Sequence, residues 1–270
     1  KMLTIDKVKK AELLLKDVVR KTDLIYATAL SKNADIYLKS ENLQKTGSFK
    51  VRGAYAKIAQ LSAEQKKRGI IACSAGNHAQ GVALSAQKSG IESTIFIPST
   101  APISKIEATK SYGAHIRLVD GVYDDAYNEA VKFQKETGAE FIHPFDDIEV
   151  IAGQGTIALE ILEQLPEVEA IIVPIGGGGL ISGIAYTIKM LKPDCKVYGV
   201  QAAGAGSMYH SMELHKRTEL PSVHTFADGT AVKMPGENTF ALCEKYVDEI
   251  VTVTDDEIAT AVLTLMERQK

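Results

Sequence analysis

The chain has 270 residues, enough for about two domains at the usual domain size. Lys+Arg 31 against Asp+Glu 34 leaves a net charge of −3, too balanced for a chain built to lie on nucleic acid or an anionic membrane. Hydrophobic residues at 45% and charged residues at 24% exclude a disordered chain, and three scattered Cys exclude a disulfide scaffold and favour a reducing, cytoplasmic setting.

No long apolar run follows Lys1-Met2-Leu3-Thr4, so no signal peptide is read there. Residues 36–38 form a short strand candidate, followed by a helix over 51–61. Residues 69–73 are a β-like run, and a helix opens near His78. Strand 93–97 closes at Pro98. Helix 103–112, strand 115–119, helix 124–136 and strand 141–143 follow, then helix 153–165. Residues 170–188 carry no charge, but Pro174 and four consecutive glycines interrupt the run. Each Gly costs a helix about 1 kcal/mol relative to Ala. The run is therefore a buried strand, 170–173, and a helix from Leu180 whose stripe is Leu180, Ile184, Ile188 and Leu191, not a membrane span. Strands are expected at 196–201 and 250–253. Thr254 and Glu257 form a capping box opening a last helix, with Ile258, Val262 and Leu265 at helical spacing. No Gly or Pro ends that helix before Lys270, so further chain is expected beyond it. Strands alternating with helices of this length make βαβ units and parallel sheets, an α/β chain with ligands at the carboxyl ends of the strands.

Three loops at such ends carry chemistry. In Gly176-Gly177-Gly178-Gly179-Leu180 the absence of side chains lets backbone N–H groups approach an anion, and the dipole of the following helix adds attraction. The dinucleotide fingerprint fails, because its third glycine position is Ile181 or Ser182 and the next strand ends in neutral Gln201. The P-loop fails too, since no Lys-Ser or Lys-Thr follows. Ser74-Ala75-Gly76-Asn77-His78 ends a strand and opens a helix, offering N–H, hydroxyl and amide donors to a carboxylate or a phenolate oxygen. In Thr46-Gly47-Ser48-Phe49-Lys50, Ser48 is a candidate N-cap that puts Lys50 in the first helical turn. A helix dipole there disfavours the ammonium form, as burial does, and a neutral lysine attacks carbonyls. An anion cradle, a second donor cradle and an activatable lysine together suit a cofactor with a phosphate and an aldehyde, pyridoxal 5′-phosphate.

Glu41-Asn42-Leu43-Gln44 leading to Thr46-Gly47-Ser48-Phe49-Lys50-Val51-Arg52-Gly53-Ala54 resembles the cofactor-lysine segment of the serine/threonine dehydratases. These belong to the tryptophan-synthase-β-like (fold type II) pyridoxal-phosphate enzymes. Ser74-Ala75-Gly76-Asn77-His78-Ala79-Gln80-Gly81 resembles their substrate-carboxylate loop, and the tetraglycine their phosphate cup. His143-Pro144-Phe145-Asp146-Asp147, Ile151-Ala152-Gly153-Gln154-Gly155-Thr156 and Ala227-Asp228-Gly229-Thr230-Ala231-Val232 resemble further family stretches, in family order along the whole chain. The resemblance implies two open, twisted, mostly parallel sheets flanked by helices, with the cofactor in a cleft between a large domain (1–68 plus 147–270) and a small one (69–146). It implies that Lys50 holds the cofactor and moves the α-proton, and that Phe49 lies against the pyridine ring. Asn77 would bond the phenolic oxygen. Gly176, Gly177, Gly178, Gly179 and Leu180 would bind the phosphate, and Ser74, Gly76, Asn77 and His78 the substrate carboxylate. The implied reaction is dehydration and deamination of L-threonine, with L-serine as a further candidate, to a 2-oxo acid and ammonia. The implied enzyme is a homodimer or homotetramer without nucleic-acid or membrane partners.

Departures from the family pattern sharpen this reading. Serine racemases of the group look like Ser-Ser-Gly-Asn-His, the second Ser being the opposite-face base; here that position is Ala75, so elimination should dominate. Gln201, Ala205 and Ser207 stand where these relatives carry acidic metal ligands, and neutral Gln and Ser are weak ligands for a hard cation, so no metal is expected. The Ser or Cys that faces the pyridine nitrogen has no match and is expected beyond Lys270. A serine racemase, a nicotinamide oxidoreductase resting on the glycine loop alone, and a non-catalytic sensor of the same fold are the rival readings. His210 and His215 are expected at the surface, Asp120, Asp124 and Asp125 on a solvated face and helix N-terminus, Cys73, Cys195 and Cys243 as small hydrophobes, and Asp146 and Asp147 as turn formers.

Overall fold

The computed structural model describes residues 2–269, so the readings that touch Lys1 and Lys270 lie outside the described residues. In chain order it begins with α1 (Ile5–Leu15), β1 (Leu24–Tyr26), β2 (Tyr37–Lys39), α2 (Lys50–Ala59), α3 (Ala63–Arg68), β3 (Ile70–Cys73) and α4 (Asn77–Ser89). β4 (Ser93–Pro98), α5 (Ile103–Lys110), β5 (His115–Val119), α6 (Tyr123–Thr137), β6 (Glu140–Phe141) and α7 (Ile148–Gln164) follow. The chain continues with β7 (Ala170–Pro174), α8 (Gly179–Leu191), β8 (Lys196–Ala202), α9 (Ser207–Glu213), α10 (Glu237–Tyr246), β9 (Glu249–Val253) and α11 (Asp255–Arg268).

These elements form two compact units. One holds Asp6–Arg20 and Asn42–Gly153; the other holds the chain up to Ile5, Lys21–Glu41 and everything from Gln154 onward. This division differs from the expected boundaries at 69 and 146, and the reason is packing. In the Asn42–Gly153 unit α2 lies along α4: a Cβ on Gly81 would sit 3.0 Å from the Val51 amide nitrogen and 3.3 Å from the Lys50 Cβ. Gln65 of α3 donates to Glu140 at 3.0 Å, and Lys57 of α2 pairs with Asp147 at 2.8 Å. Residues 42–68 and 147–153 therefore go with β3–β6.

In that unit the sheet runs β5-β4-β3-β6, parallel throughout, with Ile70 opposite Ser93 and Glu140, and Thr94 opposite His115. Ile70, Ala72, Ile95 and Ile97 pack on Ala54 and Ile58 of α2 and on Ala79, Val82 and Ala83 of α4. Ile71, Cys73 and Phe96 pack on Ala126 and Ala130 of α6. Both faces of β3 and β4 are covered, which is why their sequences read as unbroken apolar runs rather than alternating ones.

The other unit has a parallel sheet β7-β8-β9, with Ala170 opposite Lys196 and Tyr198 opposite Glu249, and an antiparallel β1–β2 pair with Leu24 opposite Lys39. Lys39 reaches from that pair to Glu160 and Gln164 of α7, at 2.6 and 2.9 Å. The Asp248 carboxylate accepts from Lys189 and from the Val197 amide, each at 2.7 Å, and so joins α8 to the starts of β8 and β9. Burial pushes the Asp248 pKa up, but the Lys189 and Val197 hydrogen bonds outweigh it and hold the carboxyl below the usual range. A carboxyl whose folded pKa is depressed stabilises above its unfolded pKa, and the contribution disappears as pH falls through the folded value. Asp248→Asn is therefore expected to cost about 1–2 kcal/mol at pH 7, with the difference from the parent shrinking below about pH 4; urea unfolding at the two pH values checks it. No helix among the described residues is long and apolar enough to cross a membrane.

Candidate active site

In the Asn42–Gly153 unit the chain reverses into α2 through two left-handed residues, Thr46 at φ 64° and Gly47 at φ 70°. A β-branched residue there is strained, and the Thr46 hydroxyl is buried without a hydrogen-bond partner. Buried Gln44 holds the turn: its Oε1 accepts from the Arg20 and Lys45 amides at 2.8 and 2.9 Å, and its Nε2 donates to the Arg20 carbonyl at 2.7 Å. Ser48 accepts from the Lys50 amide at 3.3 Å. The N-cap of α2 is nevertheless Phe49, without a side-chain cap, so Ser48 stands one residue outside the N-cap position expected of it and the helix starts directly at Lys50.

The Lys50 Nζ donates to the Pro144 carbonyl at 2.7 Å and lies 5.5 Å from the centre of the Phe49 ring. Burial of the amine pulls its pKa down to about 8. The sign fits the expected nucleophile, since a depressed lysine is partly neutral near neutral pH. In cofactor-free protein, the rate at which Lys50 captures an aldehyde should climb up to about pH 8 and level above it. Stopped-flow absorbance against pH measures this, and an ordinary surface lysine would keep climbing towards about pH 10.4.

Two imidazoles flank this amine and feel its charge. His78 is buried, and its Nε2–H donates to the Ile142 carbonyl at 2.8 Å. Burial, then the Lys50 charge, push it down to about 3 against the pull of that hydrogen bond, so His78 is neutral. His143 is also pushed below its ordinary value, by burial first and Lys50 further, with Asp146 and Asp147 opposing. Its Nδ1 accepts from the Phe145 and Asp146 amides at 3.2 and 2.8 Å, and its ring meets the Phe145 ring edge-on at 4.8 Å. That turn is what presents the Pro144 carbonyl to Lys50. Asp147 then caps α7, accepting from the Glu149 and Val150 amides at 2.8 and 3.3 Å. α7 thus starts at Ile148, five residues ahead of the expected 153.

The donor loop leaves β3 at Cys73. Its Ser74 hydroxyl accepts from the Gly76 amide at 3.1 Å, and α4 opens at Asn77 with no side chain capping it. The His78 ring is committed to Ile142, so what it can offer a carboxylate is its backbone N–H, at the positive end of the α4 dipole. Ala75 presents a methyl in this loop and packs on the adjoining core.

The tetraglycine lies in the unit that begins at Gln154, between β7 and α8. Gly178 has φ 96° and is the N-cap of α8, again without a side-chain cap. A Cβ on Gly176 would meet the Thr230 Cα at 3.2 Å, and one on Gly178 would meet the Met208 Cε at 2.6 Å. The Ala227–Val232 stretch and α9 therefore crowd this loop, and a side chain at Gly176 or Gly178 would collide with them. Leu180 follows in the first turn. Gln201 is buried and engaged with backbone, its Oε1 accepting from the Tyr209 amide at 2.8 Å and its Nε2 donating to the Ile175 carbonyl at 3.4 Å.

Lys50, Phe49, Asn77 and His78 are thus brought together in one unit, and Gly176–Leu180 form a cradle in the other. Met208 and Thr239 carry no signal in sequence, and residues 143–147 stand out there only as a family stretch and a turn, because nothing local marks a backbone carbonyl aimed at a residue 94 positions away. A buried, partly neutral lysine and a bare-amide cradle at a helix start fit an aldehyde-bearing phosphate ester in chemistry and in charge. Each is a feature that such a cofactor requires of the protein that holds it.

The chain belongs to the pyridoxal-phosphate dependent enzyme family, whose model matches residues 15–270. It is 54% identical over 271 residues to the L-threonine ammonia-lyase of Thermotoga maritima, covering all of this chain and 68% of that one. Among solved structures it is similar to maize serine racemase, with a TM-score of 0.95 and 37% identity over 100% of this chain and 82% of that one. It is also similar to the processed threonine deaminase isoform 2 of Solanum lycopersicum, with a TM-score of 0.93 and 39% identity over 98% and 79%.

Proposed function

We propose that this enzyme is a threonine ammonia-lyase, converting L-threonine to 2-oxobutanoate and ammonia by α,β-elimination, with L-serine giving pyruvate by the same route. The observation that carries the reading is the Lys50 amine: buried, brought down to about pH 8, and aimed by the Pro144 carbonyl. The likeness to the Thermotoga maritima ammonia-lyase over the whole chain supports it.

Lys50 is the residue that would carry the cofactor. Gly176, Gly177, Gly178 and Gly179 would hold its phosphate through backbone amides, with Leu180 in the same first turn. Phe49 would lie against the ring and Asn77 would bond the phenolic oxygen. Bound there, pyridoxal phosphate supplies an electron sink for the charge left at the substrate α-carbon. The free Lys50 amine takes the α-proton and becomes an ammonium, which the Pro144 carbonyl can stabilise as acceptor. Ser74, Gly76, Asn77 and the His78 amide would hold the substrate carboxylate and so fix which face of the α-carbon Lys50 meets. Neutral His78 adds no positive charge that would oppose the lysine. The β-hydroxyl leaves as water, the proton taken from the α-carbon balancing the one it gains so that Lys50 ends as the neutral amine, and hydrolysis of the released enamine gives the 2-oxo acid and ammonia.

The similarity to maize serine racemase raises a second reading. The Ala75 methyl cannot return a proton, so the opposite face has no base at that position. Incubation of the enzyme with L-threonine should release 2-oxobutanoate and ammonia in equal amounts. Chiral analysis of L-serine left after partial turnover should show no accumulating D-serine; substantial D-serine, or no ammonia from cofactor-saturated enzyme, contradicts the reading. The same proposal places the enzyme in the cytoplasm as a homodimer or homotetramer, without nucleic-acid or membrane partners and without a resident metal.

A further inference from the structure

We propose that Thr239 is a positioning residue for the phosphate cradle: its hydroxyl holds the Gly177 carbonyl on the protein side of the loop and so turns the Gly178 N–H toward the anion. The inference rests on the reading of Gly176–Gly179 as the phosphate site and names a residue that sets the geometry of that site.

Thr239 lies in the first turn of α10 and is fully buried. Its Oγ1 donates to the Gly177 carbonyl at 2.7 Å; the Gly236 carbonyl, at 3.3 Å, is a longer second acceptor. One hydroxyl proton has one best direction, and the shorter contact is the loop. The peptide that joins Gly177 to Gly178 is planar and trans, so its C=O and N–H point in opposite directions. Fixing the carbonyl toward α10 therefore fixes the N–H away from it. Without this bond a run of glycines has little to choose between one peptide orientation and its flip, since glycine populates positive and negative φ about equally. Gly178 at φ 96° is the residue that takes up the turn.

The surroundings hold Thr239 in register. A Cβ on Gly178 would lie 2.9 Å from the Thr239 Cβ and 3.1 Å from its Oγ1, so the Thr239 side chain packs directly against the bare Gly178 backbone. The Ser182 hydroxyl of α8 donates to the Thr239 carbonyl at 3.3 Å and ties α8 to α10 one turn beyond the cradle. A carbonyl in this orientation also keeps its negative end away from a phosphate, so the hydroxyl both aims a donor and withdraws an acceptor.

The test is the equilibrium affinity of the cofactor-free full chain for pyridoxal 5′-phosphate and for pyridoxal, which lacks the phosphate, in the parent, Thr239→Val and Thr239→Ser. Thr239→Val keeps the shape and removes the hydroxyl; Thr239→Ser keeps the hydroxyl and loses a methyl. Thr239→Val should weaken pyridoxal phosphate by about tenfold, the size expected for a misdirected hydrogen bond to a charged group. It should change pyridoxal by less than about twofold, and Thr239→Ser should stay within about threefold of the parent for both. If Thr239→Val does not fold, Thr239→Ala is measured in its place with the same expectation. Parent-like binding by the hydroxyl-free variant, equal weakening of both ligands, or a loss in Thr239→Ser as large as in Thr239→Val overturns the proposal. If the parent binds the two ligands equally, the phosphate reading of the loop itself fails and takes this inference with it.

Discussion

Replacement of Lys50 by Ala is expected to lower threonine turnover by at least about a thousandfold, the scale of a lost nucleophile and base combined. The variant should still fold. Removing an amine that burial disfavours relieves a desolvation cost, and what is lost in return is one hydrogen bond to the Pro144 carbonyl, so the net change in stability should be within about 1–2 kcal/mol. Ammonia release and thermal unfolding on the same preparation separate the two effects. A variant that folds and keeps a tenth of the parent activity would show that Lys50 is not the group that moves the proton.

The second large effect is expected in the packing that carries Lys50. A Cβ on Gly153 of α7 would stand 2.6 Å from the Arg52 carbonyl oxygen and 2.6 Å from the Gly53 Cα. Both are backbone atoms of α2, so no side-chain rotation relieves the clash, and the two helices must part. Gly153→Ala is expected to cost about 3 kcal/mol, at the upper end of ordinary overpacking, and to displace the start of α2 along with Lys50. Urea unfolding should show a lowered midpoint with an unchanged slope. A loss below about 1 kcal/mol would mean that the crossing is looser than the distances imply. Gly81 faces the same helix at 3.0 Å and beyond, so Gly81→Ala should be milder in stability.

What sequence alone could read follows from where each signal lies. The strands β3, β4 and β7 were legible because their apolar runs end at Pro or polar punctuation, and β5 falls on residues 115–119 as expected. α11 was legible from its Thr254–Glu257 capping box, which forms as read. Of the apolar stripe expected for α8, Ile184 and Ile188 are buried as read, Leu180 is half-buried and Leu191 is exposed, while Ile181, outside that stripe, is fully buried with its Cδ1 over Gly199. α1, α9 and α10 were not anticipated. α9 and α10 bury only a few residues, Ser207, Met208 and Ser211 in one and Thr239 and Cys243 in the other, too few for a hydrophobic period, whereas α1 does carry one in Val8, Ala11 and Leu15.

The site divides in the same way. Lys50, the Asn77 loop and the tetraglycine stand on local sequence, so they were visible as motifs. The contacts that orient them are made by residues far along the chain, Pro144 for Lys50 and Ile142 for His78, and such contacts have no local signature. His78 shows what this changes: in sequence its side chain is a candidate donor, and the fold commits that ring to the Ile142 carbonyl. The boundary at 69 that the resemblance implies separates α2 from the strands that follow it, whereas α2 lies along α4 and goes with them.

Reduction of the purified holoenzyme with borohydride, followed by peptide mapping, tests the central claim most directly. A single phosphopyridoxyl label on Lys50 is the expected result. A label on a different lysine, or none in cofactor-saturated protein, would contradict it.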